Sequence, residues 1–317
     1  MKLNISQNRS QGDPYVIKFE GKYYMYATHS NGVQLYVSEN MYDWVYKGIC
    51  YIRVGHKEYW APSVIEIDNK FYMYVSTFET EETDVHLERI QVAVANRPDE
   101  EFKFVKELTK PFSIDPHVVV SGEDLYMFYS INDYEAERAG TLIVVDKMLS
   151  PTEMEGNPQI VVRATLDEEI FMKDRFRAGQ HWHTLEGAFY IRKGNYHYVT
   201  YSGNCFENEN YYLGYAVAYG ETFDLKTLQF KKYPDESTYY PLLRKNEFEE
   251  GTGHNSILQD GDKYYLFYHG RDLLIERNKT DQRTARVCEL SLEELRMEVI
   301  KRWWWKKFNL LKKVSQN

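Results

Sequence analysis

The 317-residue sequence has little cysteine: Cys50, Cys205 and Cys288 are widely spaced and odd in number. That excludes a disulfide framework as the source of stability and fits free thiols in a reducing compartment. No run approaches the roughly 18 apolar residues that a membrane-spanning helix needs. The opening, MKLNISQNRSQGDP, lacks the apolar segment of a secretory leader, so the expected location is the cytoplasm. Positive charge is also in deficit, with 39 Lys and Arg against 48 Asp and Glu and a formal net charge of −9. Such a chain repels nucleic acid and anionic lipid, and neither is an expected partner. Ahead of the C-terminal tail, nothing long carries a clean helical period.

Aromatic residues, in contrast, are plentiful, with 28 Tyr and 16 Phe. Flat rings pack well on pleated strands, and strand positions account for most of them. The same rings suit carbohydrate sites, where they stack on the apolar faces of sugars.

One phrase recurs five times: GKYYMYAT, NKFYMYVS, EDLYMFYS, NYHYVTYS and DKYYLFYH. The shared tyrosine falls at Tyr24, Tyr72, Tyr126, Tyr198 and Tyr265, at intervals of 48, 54, 72 and 67 residues. Each copy follows a short apolar stretch and a turn (VIKFEG, VIEIDN, VVVSGE, FYIRKG, ILQDGD), which is a hairpin signature. Further strand-like runs lie between the copies. Units of this length, each with about four short strands, predict an all-β, five-bladed β-propeller. A β-sandwich is the rival fold, but it gives no reason for a whole phrase to recur in register.

Eleven positions before each aligned tyrosine stand Asp13, Ala61, Asp115, Gly187 and His254, with Glu186 one step before Gly187. If each phrase opens the innermost strand of a blade, these positions ring one end of the propeller axis. Three carboxylates then converge from three blades, where like charges raise each other's pKa. As isolated features, Asp13 and Asp115 also read as turn openers before proline. The shared register favours a site.

With these phrases in hand, the chain resembles glycoside hydrolase family 43, five-bladed propellers acting on arabinosides and xylosides. The matching phrases are GDPYV, SENMYDW, YWAPSV, IDPHV, TLEGAF and GTGHNS, in that order within residues 11–290. The resemblance implies an inverting mechanism in which Asp13 is the general base, Glu186 the general acid and Asp115 the carboxylate that tunes the acid. It also implies that His254 lies near the axis, sometimes beside a cation reached through water. A structural Ca2+ near the axis is thus an option, and no cofactor is required. A core histidine is the plain alternative. Arg283 or Arg286 matches a substrate-contacting arginine, the other being a surface or blade-edge charge. Trp60 stands either at the pocket mouth or between blades. His29, Tyr59, Trp182 and Phe206 are further candidates on loops beside the inner strands.

The expected activity is exo-acting α-L-arabinofuranosidase or β-D-xylosidase, on a small oligosaccharide or glycoside. The alternatives are an endo-arabinanase and a sugar-binding propeller without catalysis. A retaining fructan-type hydrolase is disfavoured because its Asn-Asp-Pro-Asn setting is replaced by Gly-Asp-Pro-Tyr. The expected organisation is a single propeller domain over 1–295, without the additional β-sandwich of larger relatives. A tail over 296–317 follows, and its residues 301–317 hold six Lys or Arg and no acid. Its WWWKKF segment is expected to pack on the propeller's outside, with a partner or membrane surface as the alternative. Oligomeric state is left open.

Overall fold

The computed structural model describes residues 1–7, 9–273 and 282–300. Five blades follow one another in chain order around an axis. Their inner strands are Gly12–Phe19, His56–Ile67, Ser113–Ser121, Trp182–Lys193 and Glu249–Asp260. Each aligned tyrosine lies on the second strand of its blade, paired with the inner strand in one register: Tyr24 with Ile17, Tyr72 with Ile65, Tyr126 with Val119, Tyr198 with Ile191 and Tyr265 with Leu258. Blades 3 and 4 share a continuous sheet through a short parallel contact of Gly140 and Thr141 with His183 and Thr184. Among the described residues, no helix is long and apolar enough to cross a membrane.

The phrases are almost continuously apolar because both faces of a blade are buried. In blade 1, Tyr24 and Tyr26 pack with Val64 and Met73 of blade 2, while Met25 and Ala27 pack with Phe267 and Val287 of blade 5. Each of the five blade interfaces has its own apolar cluster. The turns inside the hairpins supply the left-handed backbone that a tight reversal needs. Asp68 and Asn69 sit at φ 50° and 60°, a pair of residue types that tolerate it.

Closure falls to a segment with no signal in the sequence. The amide of Leu3 donates to Ala285 and that of Val287 to Met1, while Asn4–Ile5 pairs in parallel with Asp43–Trp44. Residues 1–5 therefore join the third strand of blade 5 to the outer strand of blade 1. The expected domain boundary at 295 needs correction. Arg296–Ile300 forms the outer strand of blade 5, with Met297 buried opposite Leu292. The turn at Glu294 is a hairpin within the blade rather than an exit from it. The expectation for WWWKKF falls outside the described residues.

Candidate active site

The five inner strands share one backbone feature. Asp13, Ala61, Asp115, Gly187 and His254 all have left-handed φ, at 55°, 46°, 60°, 65° and 43°. At each of these points the strand loses register with its neighbour. A bulge of this kind re-aims a side chain out of the alternating pattern. For a non-glycine residue it costs about 1–2 kcal/mol and persists only where the surroundings over-determine it. In blade 4 the bulge residue is glycine, and the carboxylate stands one position earlier, at Glu186. A Cβ on Gly187 would lie 3.0 Å from the His254 ring, so the blade 5 histidine occupies the space a side chain would need.

Two residues further along, Tyr15, Ser63, His117, Phe189 and Ser256 form the next layer. The Tyr15 hydroxyl lies 3.2 Å from Nδ1 of His117, whose ring stacks on Phe189 at 3.9 Å. Three blades thus meet in one packed contact. Above it, a cavity of about 490 Å³ is lined by Asp13, Asp115, Glu186, His254, Arg283, Trp60, His29 and Phe206.

Asp13 is held by groups from its own blade and from blade 5. Nη1 of Arg283 lies 2.9 and 3.2 Å from its two oxygens, and the Thr28 hydroxyl donates to Oδ2 at 2.5 Å. Nδ1 of His254 and of His269 lie 3.3 and 3.2 Å from Oδ1. Burial opposes ionisation, but Arg283, His254 and His269 outweigh it and hold the Asp13 carboxyl well below the usual range. An added Cβ at Gly12 would come within 2.4 Å of the Arg283 guanidinium, so a side chain there would displace that group from Asp13.

Glu186 has the opposite preference. Burial first, then the Asp13 charge, push its carboxyl up to about 7, against a 2.7 Å hydrogen bond from the Tyr211 hydroxyl. Asp115 accepts the Gly187 amide at 2.9 Å. Burial, then Glu186 and Asp13, drive Asp115 well above the carboxylate range. The like-charge repulsion expected to raise the acid therefore acts chiefly on Asp115, because Glu186 is shifted mainly by its own burial.

Arg286 is corrected. It lies outside the cavity, 2% exposed, with ion pairs to Glu249 at 3.1 Å and Asp272 at 2.5 Å. Nor is it a surface charge: its strand places it inside blade 5, opposite Tyr268. Tyr59 and Trp182 also miss the cavity. Tyr59 is buried, with its hydroxyl donating to the Arg53 carbonyl, and Trp182 is buried against Tyr134 and Phe176.

The structure adds Thr28, His269, Glu58, Glu207 and Tyr211. The first two carry a signal in the sequence, since the repeated phrase ends in Thr28, Ser76, Ser130, Ser202 and His269. That column faces the bulges: Thr28 bridges Asp13 and the Ala61 amide, and Ser202 accepts the His254 amide at 2.7 Å. Glu58, itself at φ 53°, accepts the Trp60 indole N–H at 3.1 Å and so orients that ring at the cavity wall. Away from the cavity, His56, Glu79 and Glu107 also cluster, but Arg53 and Arg89 pair with both carboxylates.

Comparison with known proteins agrees with this geometry. The profile of glycosyl hydrolases family 43 matches residues 5–294. A relative from Streptomyces avermitilis, an extracellular exo-alpha-(1->5)-L-arabinofuranosidase, is 24% identical over 226 residues, which is 67% of this chain and 43% of that protein. The chain thus spans under half the length of that relative. The crystal structure of a thermostable family-43 glycoside hydrolase is 29% identical and superimposes with a TM-score of 0.76 over 92% of each chain. That of alpha-L-arabinofuranosidase from Lactobacillus brevis is 21% identical, with a TM-score of 0.73 over 89% of this chain and 91% of that one. A five-bladed propeller with this ordered set of motifs and a match along nearly its whole length belongs to glycoside hydrolase family 43.

Proposed function

We propose that the chain is an inverting, exo-acting glycosidase that removes α-L-arabinofuranosyl or β-D-xylosyl residues from small oligosaccharides. One observation carries the assignment of roles. Within one cavity, Asp13 is held ionised while Glu186 retains its proton up to about pH 7. An inverting glycosidase needs that pair of states. Asp13 takes a proton from water as the water oxygen bonds to the anomeric carbon. Glu186 gives its proton to the glycosidic oxygen as the bond between that oxygen and the anomeric carbon breaks. Proton exchange with solvent then resets both groups. Asp115, anchored on the Gly187 amide, orients the Glu186 segment.

The name of the Streptomyces relative, an exo-acting enzyme, supports release of terminal sugars. The names of the Streptomyces and Lactobacillus relatives support the arabinoside. No cofactor is needed for these steps. Beside His254, Asp13 is already paired with Arg283, and among the described residues the His, Asp and Glu groups close enough to share a cation are His56, Glu79 and Glu107, away from this cavity. A cation at the axis would be held through water, as a structural element. Cytoplasmic placement rests on three unpaired cysteines, Cys50, Cys205 and Cys288, and cell fractionation tests it.

The test is hydrolysis of aryl α-L-arabinofuranoside, β-D-xylopyranoside, β-D-galactopyranoside and β-D-fructofuranoside by the wild type and by Glu186→Gln. Cleavage of the arabinoside or xyloside with inverted product, seen by proton NMR and lost in the variant, is expected. A retained anomer, or full activity in Glu186→Gln, would overturn the assignment.

A further inference from the structure

A second cavity, of about 730 Å³, opens between blades 2 and 3. It adjoins the candidate active site along one stretch of chain: Phe112 and Ser113 line the second cavity, Ile114 and Asp115 the first. Its volume falls within the ~300–1,000 Å³ of small-molecule sites. Two aromatic rings on different walls are held in place by neighbours. On the blade 3 side, Tyr134 is 50% exposed, its hydroxyl accepts from Asn132 at 3.2 Å, and its ring packs 5.1 Å from Trp182. On the blade 2 side, Phe112 lies 5.9 Å from the His86 ring, which is itself fixed between Asp84 at 2.6 Å and Arg175 at 2.9 Å.

Arg175 belongs to the long insertion between blades 3 and 4. Its guanidinium sits over the rings of Phe176 and Trp182, at 5.3 and 4.7 Å, and its hydrogen bond to His86 ties the insertion to blade 2. The charged residues on the walls are mixed in sign, with Asp84 and Asp146 against Lys110. Asp146 is already occupied by the amides of Gly156 and Asn157. This wall chemistry gives no purchase to an anionic ligand. Preset rings interspersed with amide and hydroxyl groups suit a neutral polyhydroxylated chain, whose apolar faces stack on the rings.

We propose that this cavity is a second carbohydrate subsite, holding the distal part of the oligosaccharide whose terminal sugar occupies the cavity of Asp13 and Glu186. The proposal rests on the glycosidase function of that site and adds a source of preference for oligosaccharides over simple glycosides. The test compares wild type, Tyr134→Ala and Tyr134→Phe on an aryl glycoside and on arabino- and xylo-oligosaccharides from dimer to hexamer. Thermal melting of each variant reports its folding. In the wild type, KM falls as the chain lengthens. Tyr134→Ala raises KM for the longest substrate about tenfold with kcat unchanged, and leaves the aryl glycoside unaffected. Tyr134→Phe, which keeps the ring, stays near wild type. Equal KM values for wild type and Tyr134→Ala at every chain length would overturn the subsite while leaving the glycosidase standing. Should the wild type cleave nothing, calorimetric titration with the hexamers decides separately. A tenfold loss of affinity in Tyr134→Ala supports the subsite, and equal or absent binding overturns it.

Discussion

Asp13 and Arg283 stand 270 residues apart in the chain and meet in the cavity, with Nη1 2.9 Å from one carboxylate oxygen and 3.2 Å from the other. Arg283 also lies over the Phe206 ring, its guanidinium carbon 4.9 Å from the ring centre. The contact spans the seam where blade 5 returns to blade 1, so the charge state of the proposed base depends on closure of the propeller. Replacing Arg283 with Met removes the main group opposing the burial of Asp13. The acid limb of the kcat/KM profile should then move to higher pH. An unmoved acid limb would show that another group sets it.

Glu186 must carry its proton to act, so activity should fall as pH rises through about 7. The Tyr211 hydroxyl stabilises the ionised form, and its removal raises the carboxyl further. Tyr211→Phe should therefore shift the alkaline limb upward. Glu186→Gln should lower kcat by about 10²–10⁴-fold, abolish that limb and leave the melting temperature near wild type. A downward shift in Tyr211→Phe would contradict the sign of this coupling.

Gly187 is the one bulge position in the ring where the residue is glycine. Its left-handed φ of 65° and the 3.0 Å approach to His254 both oppose a side chain. Gly187→Ala should cost about 1–2 kcal/mol in denaturant unfolding. It should also depress kcat, because His254 and the Gly187 amide that holds Asp115 must shift. Wild-type stability and rate together would remove this explanation for the position of Glu186.

Outside the lining of the cavity, Lys232 and Glu169 form a buried ion pair at 2.5 Å, with relative side-chain exposures of 2% and 0%. The pair joins the insertion before blade 4 to that blade's outer strand. Lys232→Met leaves a buried carboxylate without its cation and should destabilise by about 3–5 kcal/mol. Adding Glu169→Gln should recover part of the loss in urea unfolding. No recovery would mean that packing rather than charge dominates.

The blade count was legible because the blade is a local object. Each hairpin carries its own turn and apolar phrase, and both are written in consecutive residues such as GKYYMYAT. The ring of Asp13, Ala61, Asp115, Gly187 and His254 was legible for the same reason, since a repeated unit fixes the offset from phrase to bulge. The column ending each phrase in Thr28, Ser202 and His269 was equally present, and its meaning emerged only once the strands were paired.

What the sequence by itself determined was therefore the repeat, the strand register and the residues at the axial end. Only the tertiary structure decided which of Arg283 and Arg286 reaches Asp13, because three residues along a strand turn a side chain to the opposite face. It also decided that Tyr211, from a segment between repeats, reaches Glu186, and that residues 1–5 close the ring. It extended the last blade to Ile300, where pairing with the preceding strand fixes what no local pattern announced. Protonation preferences belong to the same category. They arise from burial and from charges brought together across blades, and neither exists until the propeller has closed.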